Sequence, residues 1–165
     1  MTEKTDLVLE RTLDAPIDLV WDAYTHSEHI KKWFAPKPYM ITEAKLDLRP
    51  GGTFQFRMEG PDNFVEDGKG CVLEVVPRAR LTWTSALGPE FRPNDFGDKE
   101  GCEAFPFTAV ATFADAGKGK TAYKVVELHR NEADREAHEN MGFHDGWGTV
   151  ASQLEEFART LGVHA

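Results

Sequence analysis

The sequence of 165 residues predicts one α+β domain spanning residues 1–165, and three observations carry that prediction. Apolar residues alternate with period two through most of residues 39–129, the mark of antiparallel strands with one buried face. Two short stretches of helical spacing precede them, directly after a first strand. A longer one closes the chain, where Phe143, Trp147, Val150, Leu154, Phe157 and Leu161 recur at alternating steps of four and three. The length suits a single core, since domains cluster at roughly 100 to 150 residues.

Leu7, Leu9, Arg11 and Leu13 alternate with Val8, Glu10 and Thr12 as a strand, and Asp14-Ala15-Pro16 stops it. Proline suits a first helical turn, and Ile17, Val20, Trp21 and Tyr24 follow at helical spacing. Thr25 with Glu28 reads as a capping box for a second helix, whose apolar face is Ile30, Trp33 and Phe34. Tyr39, Ile41, Leu46 and Leu48 then lead through Arg49-Pro50-Gly51-Gly52 to Phe54, Phe56 and Met58, an antiparallel hairpin with Gly51 where the turn needs positive φ. Further strands are predicted over 64–76, 81–85, 105–113 and 121–129. Gly68 and Gly70 inside the longest of these predict a bulge or bend.

Residues 87–104 form a polar loop rich in Gly and Pro, which reads either as a disordered excursion or as a lid; Phe91 and Phe96 favour the lid. The closing helix is predicted as one unit over 132–161, its apolar stripe facing the sheet, capped by Asn131 with Glu132 and Asp134 in the first turn. Gly142, Gly146 and Gly148 each cost about 1 kcal/mol inside a helix relative to alanine. They therefore predict a close approach or a space left open.

The formal charge of -9, without a Lys or Arg patch, excludes nucleic acid and anionic membranes as main partners. No apolar run nears the roughly 20 residues of a membrane span, and MTEKTDLVLE lacks the features of a secretory signal, so a cytoplasmic protein is expected. Cys71 and Cys102 stand far apart without metal-ligand spacing, which argues against a disulfide scaffold and a zinc site.

Candidate chemistry is sparse. His138 and His144 are six apart, whereas a shared metal on one helix needs a spacing of about four, and His26 and His29 read as solvated, so no metal or cofactor is expected. On the strand over 121–129, Tyr123, Val125, Glu127 and His129 share one face, and Ala122, Lys124, Val126 and Leu128 share the other. Inward, Glu127 and His129 are a potential acid and base; the penalty for burying an unpaired carboxylate favours Val126 and Leu128 inward instead. Trp33, Phe54, Phe56, Trp83, Phe107, Met141 and Trp147 are the candidate lining of a pocket between helix and sheet, with plain core packing the default for each.

Ala15-Pro16 with Val20-Trp21, Trp33-Phe34-Ala35-Pro36, Leu48-Arg49-Pro50-Gly51-Gly52, Val75-Val76-Pro77 with Arg80-Leu81-Thr82-Trp83, and Gly146-Trp147 before Leu154 occur in that order. Together they resemble the bacterial homologues of the activator of the heat-shock-protein-90 ATPase, within the START-like polyketide cyclase superfamily. The resemblance implies a helix-grip fold: a curved, seven-stranded antiparallel sheet around a long C-terminal helix, two short helices closing one end, and an apolar cavity between. It implies no universal catalytic residues. The function expected is binding of a small hydrophobic or amphipathic ligand. A cyclase-like or hydrolase-like enzyme using cavity polar groups is the second expectation, and a co-chaperone acting on a chaperone ATPase the third. Pairing into a homodimer is left open by the sequence.

Overall fold

The computed structural model describes residues 4–97 and 104–163. Cys102 and the middle of the long loop lie outside these, and Cys71 is a buried free thiol. Strand β1 (Asp6–Leu13) leads to helices α1 (Ile17–Thr25) and α2 (Ser27–Trp33), followed by β2 (Met40–Leu46), β3 (Thr53–Gly60), β4 (Phe64–Val76) and β5 (Arg80–Thr84). Two short strands, β6 (Leu87–Gly88) and β7 (Arg92–Pro93), pair with each other; then come β8 (Phe107–Gly117), β9 (Lys120–His129), α3 (Glu132–Asn140) and α4 (Phe143–Val163). The main sheet has seven strands in the order β1-β9-β8-β5-β4-β3-β2, each pair antiparallel.

Alternation sets the inner face of the sheet. Leu7 and Leu9, Phe54, Val72, Leu81 and Trp83, Ala109, Ala111 and Phe113, and Tyr123 and Val125 are all buried and form one core with the helices. The stripe on α4 is buried or half-buried along its length, and α4 packs on α1, α2 and β1, so the short helices share with the sheet the role of covering it. Tyr24 of α1 and Tyr123 of β9 meet hydroxyl to hydroxyl at 3.1 Å beneath this layer.

The turn after β2 is as the glycine pattern requires: Gly51 has φ +85° and donates to the Val72 carbonyl at 2.8 Å. The loop segment after Gly88 clamps onto that turn. Glu90 N–H donates to the Gly51 carbonyl at 2.7 Å, Arg49 pairs with Glu90 at 2.6 Å, and the Phe91 ring lies so close that a Cβ on Gly51 would stand 2.9 Å from it.

Three local expectations need correction. The predicted bulge is not at Gly68 or Gly70, which pair in register with Phe56 and Phe54; the register shift falls between Val72 and Glu74. Gly68 is there because the Phe56 ring occupies the space of its side chain, 2.3 Å from where a Cβ would sit. Thr25 makes no capping box: its hydroxyl turns back to the Trp21 carbonyl at 2.7 Å, and His26 takes the cap position. The closing helix is two helices, because Gly142 adopts φ +90° and ends α3 with its N–H on the Glu139 carbonyl at 3.0 Å. Asn131 does cap α3, its side chain accepting from Asp134 N–H at 2.8 Å.

Candidate functional site

A cavity of about 430 Å³ lies between the sheet and the junction of α3 and α4. Its walls follow from the pleat and from the helix break. Phe56 and Met58 come from β3, Trp83 from β5 and Phe107 from β8, while Met141, Phe143, Gly146 and Trp147 descend from the helical side. Phe34, Pro36 and Tyr39, on the segment after α2, complete one side. Of the pocket residues expected from sequence, Phe56, Trp83, Phe107, Met141 and Trp147 line this space.

Trp33 and Phe54 do not. Trp33 is 1% exposed, donates its indole N–H to the Ala23 carbonyl at 2.9 Å and packs on Tyr24, so it fastens α2 to α1. Phe54 is stacked flat on Trp83, ring centroids 4.3 Å apart, one layer behind the wall. Met141 is 48% exposed and stands at the rim. Trp147, half-buried, meets Phe34 edge to face at 5.8 Å. Beside this space a smaller recess of about 90 Å³ shares Phe56, Trp83 and Phe107 and is bordered by Asn94, Asp95 and Phe96 of the long loop. Phe96 therefore covers cavity aromatics, while Phe91 covers the Gly51 turn.

The polar end of the cavity overturns the favoured reading of β9. Glu127 is 0% exposed and His129 8%, whereas Leu128 is 39% exposed on the outer face. The reason is register: β9 lies between β1 and β8, and Thr121, Tyr123 and Val125 already commit its inner face, so Glu127 and His129 follow them inward. Glu127 lines the cavity, and His138 of α3 faces it there, with its Nδ1 3.0 Å from Glu127 Oε2. Sequence spacing missed His138 by testing it against His144, whose ring instead meets Glu139 at 3.0 Å on the surface.

Proton positions follow from the partners. The Thr5 carbonyl can only accept, so His129 Nδ1 donates to it at 2.8 Å, and in the neutral imidazole its Nε2 is the acceptor. His138 Nδ1, 2.9 Å from that Nε2, is then the donor between the rings. The Glu127 carboxyl has no hydrogen-bond partner on either oxygen; the His138 contact is close but badly angled. Burial without a partner pushes Glu127 up to about 8, and burial, helped by the adjacent His129, holds His138 down to about 4. Both groups are therefore neutral at pH 7, and their contact is not an ion pair. Tyr24 and Tyr123, the titratable groups behind Glu127, are also raised, each chiefly by burial.

Such a site combines aromatic walls with a neutral carboxyl and a neutral imidazole, able to donate and accept one proton each. The profile of the family described as activator of Hsp90 ATPase homolog 1-like protein matches residues 14–159. The chain belongs to this family. A crystal structure of a protein from Nitrosomonas europaea is 39% identical, covers 99% of both chains and superposes with a TM-score of 0.90. The solution structure of the AHSA1-like protein from Aeromonas hydrophila is 19% identical over 95% of this chain and 94% of its own, with a TM-score of 0.66. A protein from Arthrobacter aurescens, 14% identical, covers 97% of this chain and 90% of its own at 0.76. At these lower identities the likeness shows the fold alone, and it is that of START-like helix-grip proteins. No curated protein matches the chain. No helix among the described residues is long and apolar enough to cross a membrane.

Proposed function

We infer that this AHSA1-like chain binds a small hydrophobic or amphipathic molecule in the cavity between β3, β5, β8 and the α3–α4 junction. The observation that carries the reading is a space of about 430 Å³ walled by aromatic rings and ending on an unpaired, neutral Glu127 carboxyl. Its size falls in the range of small-molecule sites, where apolar walls supply affinity and a few polar groups orient the ligand. A neutral carboxyl favours an uncharged oxygen on the ligand, to which Glu127 donates, over a carboxylate. Native mass spectrometry and thermal shift against a panel of lipids and hydroxylated aromatic polyketides test this. Binding should quench fluorescence from Trp83 and Trp147 and should be weakened in Phe56→Ala; a panel in which nothing binds refutes it.

The pairing of Glu127 with His138 favours one second reading, an enzyme of cyclase or hydrolase type. A carboxylic acid near neutral pKa and a neutral imidazole can serve as acid and base on one bound substrate. Turnover abolished in Glu127→Gln with binding retained would select it over simple binding.

A further inference from the structure

We propose that Glu127, His129 and His138 form a buried three-ligand site for a divalent metal ion of the zinc class, with its remaining coordination position open to the cavity. One carboxylate oxygen and two imidazole nitrogens from these residues lie within 4.8 Å of one another, and all three residues are buried. Two imidazoles and one carboxylate are the donor set of zinc sites that keep a position free for water or substrate.

Three features point to an ion rather than to ordinary core polarity. His129 is held from behind by the Thr5 carbonyl at 2.8 Å, so its Nε2 lone pair faces the cluster; metal-binding histidines are oriented by such a carbonyl on the far nitrogen. The Glu127 carboxyl is fully buried with both oxygens unpartnered, a state that buried polar groups avoid and that a cation would relieve. The third donor arrives from a separate element, because Gly142 in the left-handed region ends α3 and seats His138 against Phe107 and Phe143.

The spacing is that of an empty site. The 2.9 Å and 3.0 Å contacts around His138 Nδ1 are shorter than the separation of about 3.3 Å that tetrahedral geometry sets between donors bonded at roughly 2.0 Å. Binding asks His138 to move outward by a few tenths of an ångström, toward the cavity it lines, with the Glu127 and His129 donors drawn to within about 4 Å of each other. On binding, the His138 proton moves from Nδ1 to Nε2 and Glu127 binds as the carboxylate, its proton leaving to solvent. The open position then faces the aromatic chamber, where a ligand oxygen would complete the coordination.

The test is titration of the full chain, stripped by chelator, with Zn²⁺ alone and with Co²⁺ as a spectroscopic probe. Expected are one ion per chain by native mass spectrometry, a raised melting temperature and the visible absorption of low-coordinate cobalt. His29→Ala, which breaks up the His26 and His29 pair at the surface end of α2, should bind as the parent does. Glu127→Gln and His138→Gln should each weaken binding by more than the roughly 100-fold that loss of a supporting partner costs. Two variants on different elements keep the test decisive if either fails to fold, which circular dichroism reports. No uptake by the parent chain, uptake unchanged in both variants, or uptake lost only in His29→Ala overturns the proposal. Binding of an organic ligand with no metal uptake would leave the cavity reading intact and overturn this one alone.

Discussion

Replacing Glu127 by glutamine in the metal-free chain should change how stability depends on pH, and the size of the change follows from two buried groups. The folded chain keeps the Glu127 proton up to about pH 8, while the unfolded chain loses it at the ordinary value of 4.5. The folded state therefore binds more protons between those values, and stability falls as pH rises through them, by about 1.4 kcal/mol per unit. His138 acts in the opposite direction, since its folded value of about 4 lies below the ordinary 6.5 and stability is lost as pH falls between them. From pH 4.5 to 6.5 the two slopes nearly cancel. Above 6.5 only Glu127 remains, and wild-type stability should drop by about 2 kcal/mol before levelling above pH 8. Glu127→Gln should abolish that drop and leave the His138 slope exposed, a rise of about 3 kcal/mol from pH 4 to 6.5. Urea denaturation with chelator present, at a series of pH values across both windows, measures this. A wild-type curve that stays flat or rises from 6.5 to 8, or a variant with the parent's slope there, refutes the assignment of a neutral, unpaired Glu127.

Two further predictions concern the walls. Trp33→Ala should destabilise by about 3 to 5 kcal/mol, as a filled core position does, while Trp147→Ala, which borders an existing space, should cost clearly less; equal losses by denaturation would show that Trp147 is core. Gly142→Ala should cost about 1 to 2 kcal/mol through backbone strain alone, because a Cβ there meets nothing within 4 Å and only its φ of +90° is unfavourable; unchanged stability would show that the turn is not held in that conformation.

The alternation of residues made the strands legible, and β4 lies at Phe64–Val76 as the pattern places it. Helix ends were less legible because they depend on single turns: Met141-Gly142 ends α3 just before the apolar stripe begins at Phe143, and nothing but those two residues separates the two helices in sequence. The cavity wall was largely readable, since Phe56, Trp83 and Phe107 alternate with outward residues and share the inner face. Depth was not readable; whether an aromatic fronts a space or stands behind another ring, as Phe54 does behind Trp83, depends on the curvature of the sheet. The polar trio was missed for two physical reasons. The cost of burying an anion points Glu127 outward, although the carboxyl stays protonated, and spacing along the closing helices sets His138 beside His144, although its partners stand on β9. One signal was available: Thr121, Tyr123 and Val125 share the face of Glu127, and two of the three are large side chains that belong inside.

Gly146 and Gly148 of α4 serve two different uses, and their division bears on the site. Gly148 admits the Arg11 guanidinium, 3.2 Å from where a Cβ would sit, so its small size serves packing. Gly146 lines the cavity, and a Cβ there would touch only Pro36, at 4.0 Å. Alanine would fit at Gly146 and stabilise an exposed helix by about 1 kcal/mol, so no clash accounts for the glycine. The neighbouring polar trio departs from local rules in the same direction: the Glu127 carboxyl is buried with no partner, at a cost an apolar side chain there would avoid. Two independent sacrifices of stability, one of helix propensity and one of polar satisfaction, meet on opposite walls of a single chamber. Natural sequences tolerate such departures chiefly where function demands them, which supports the proposal that a ligand occupies the chamber between Gly146 and Glu127.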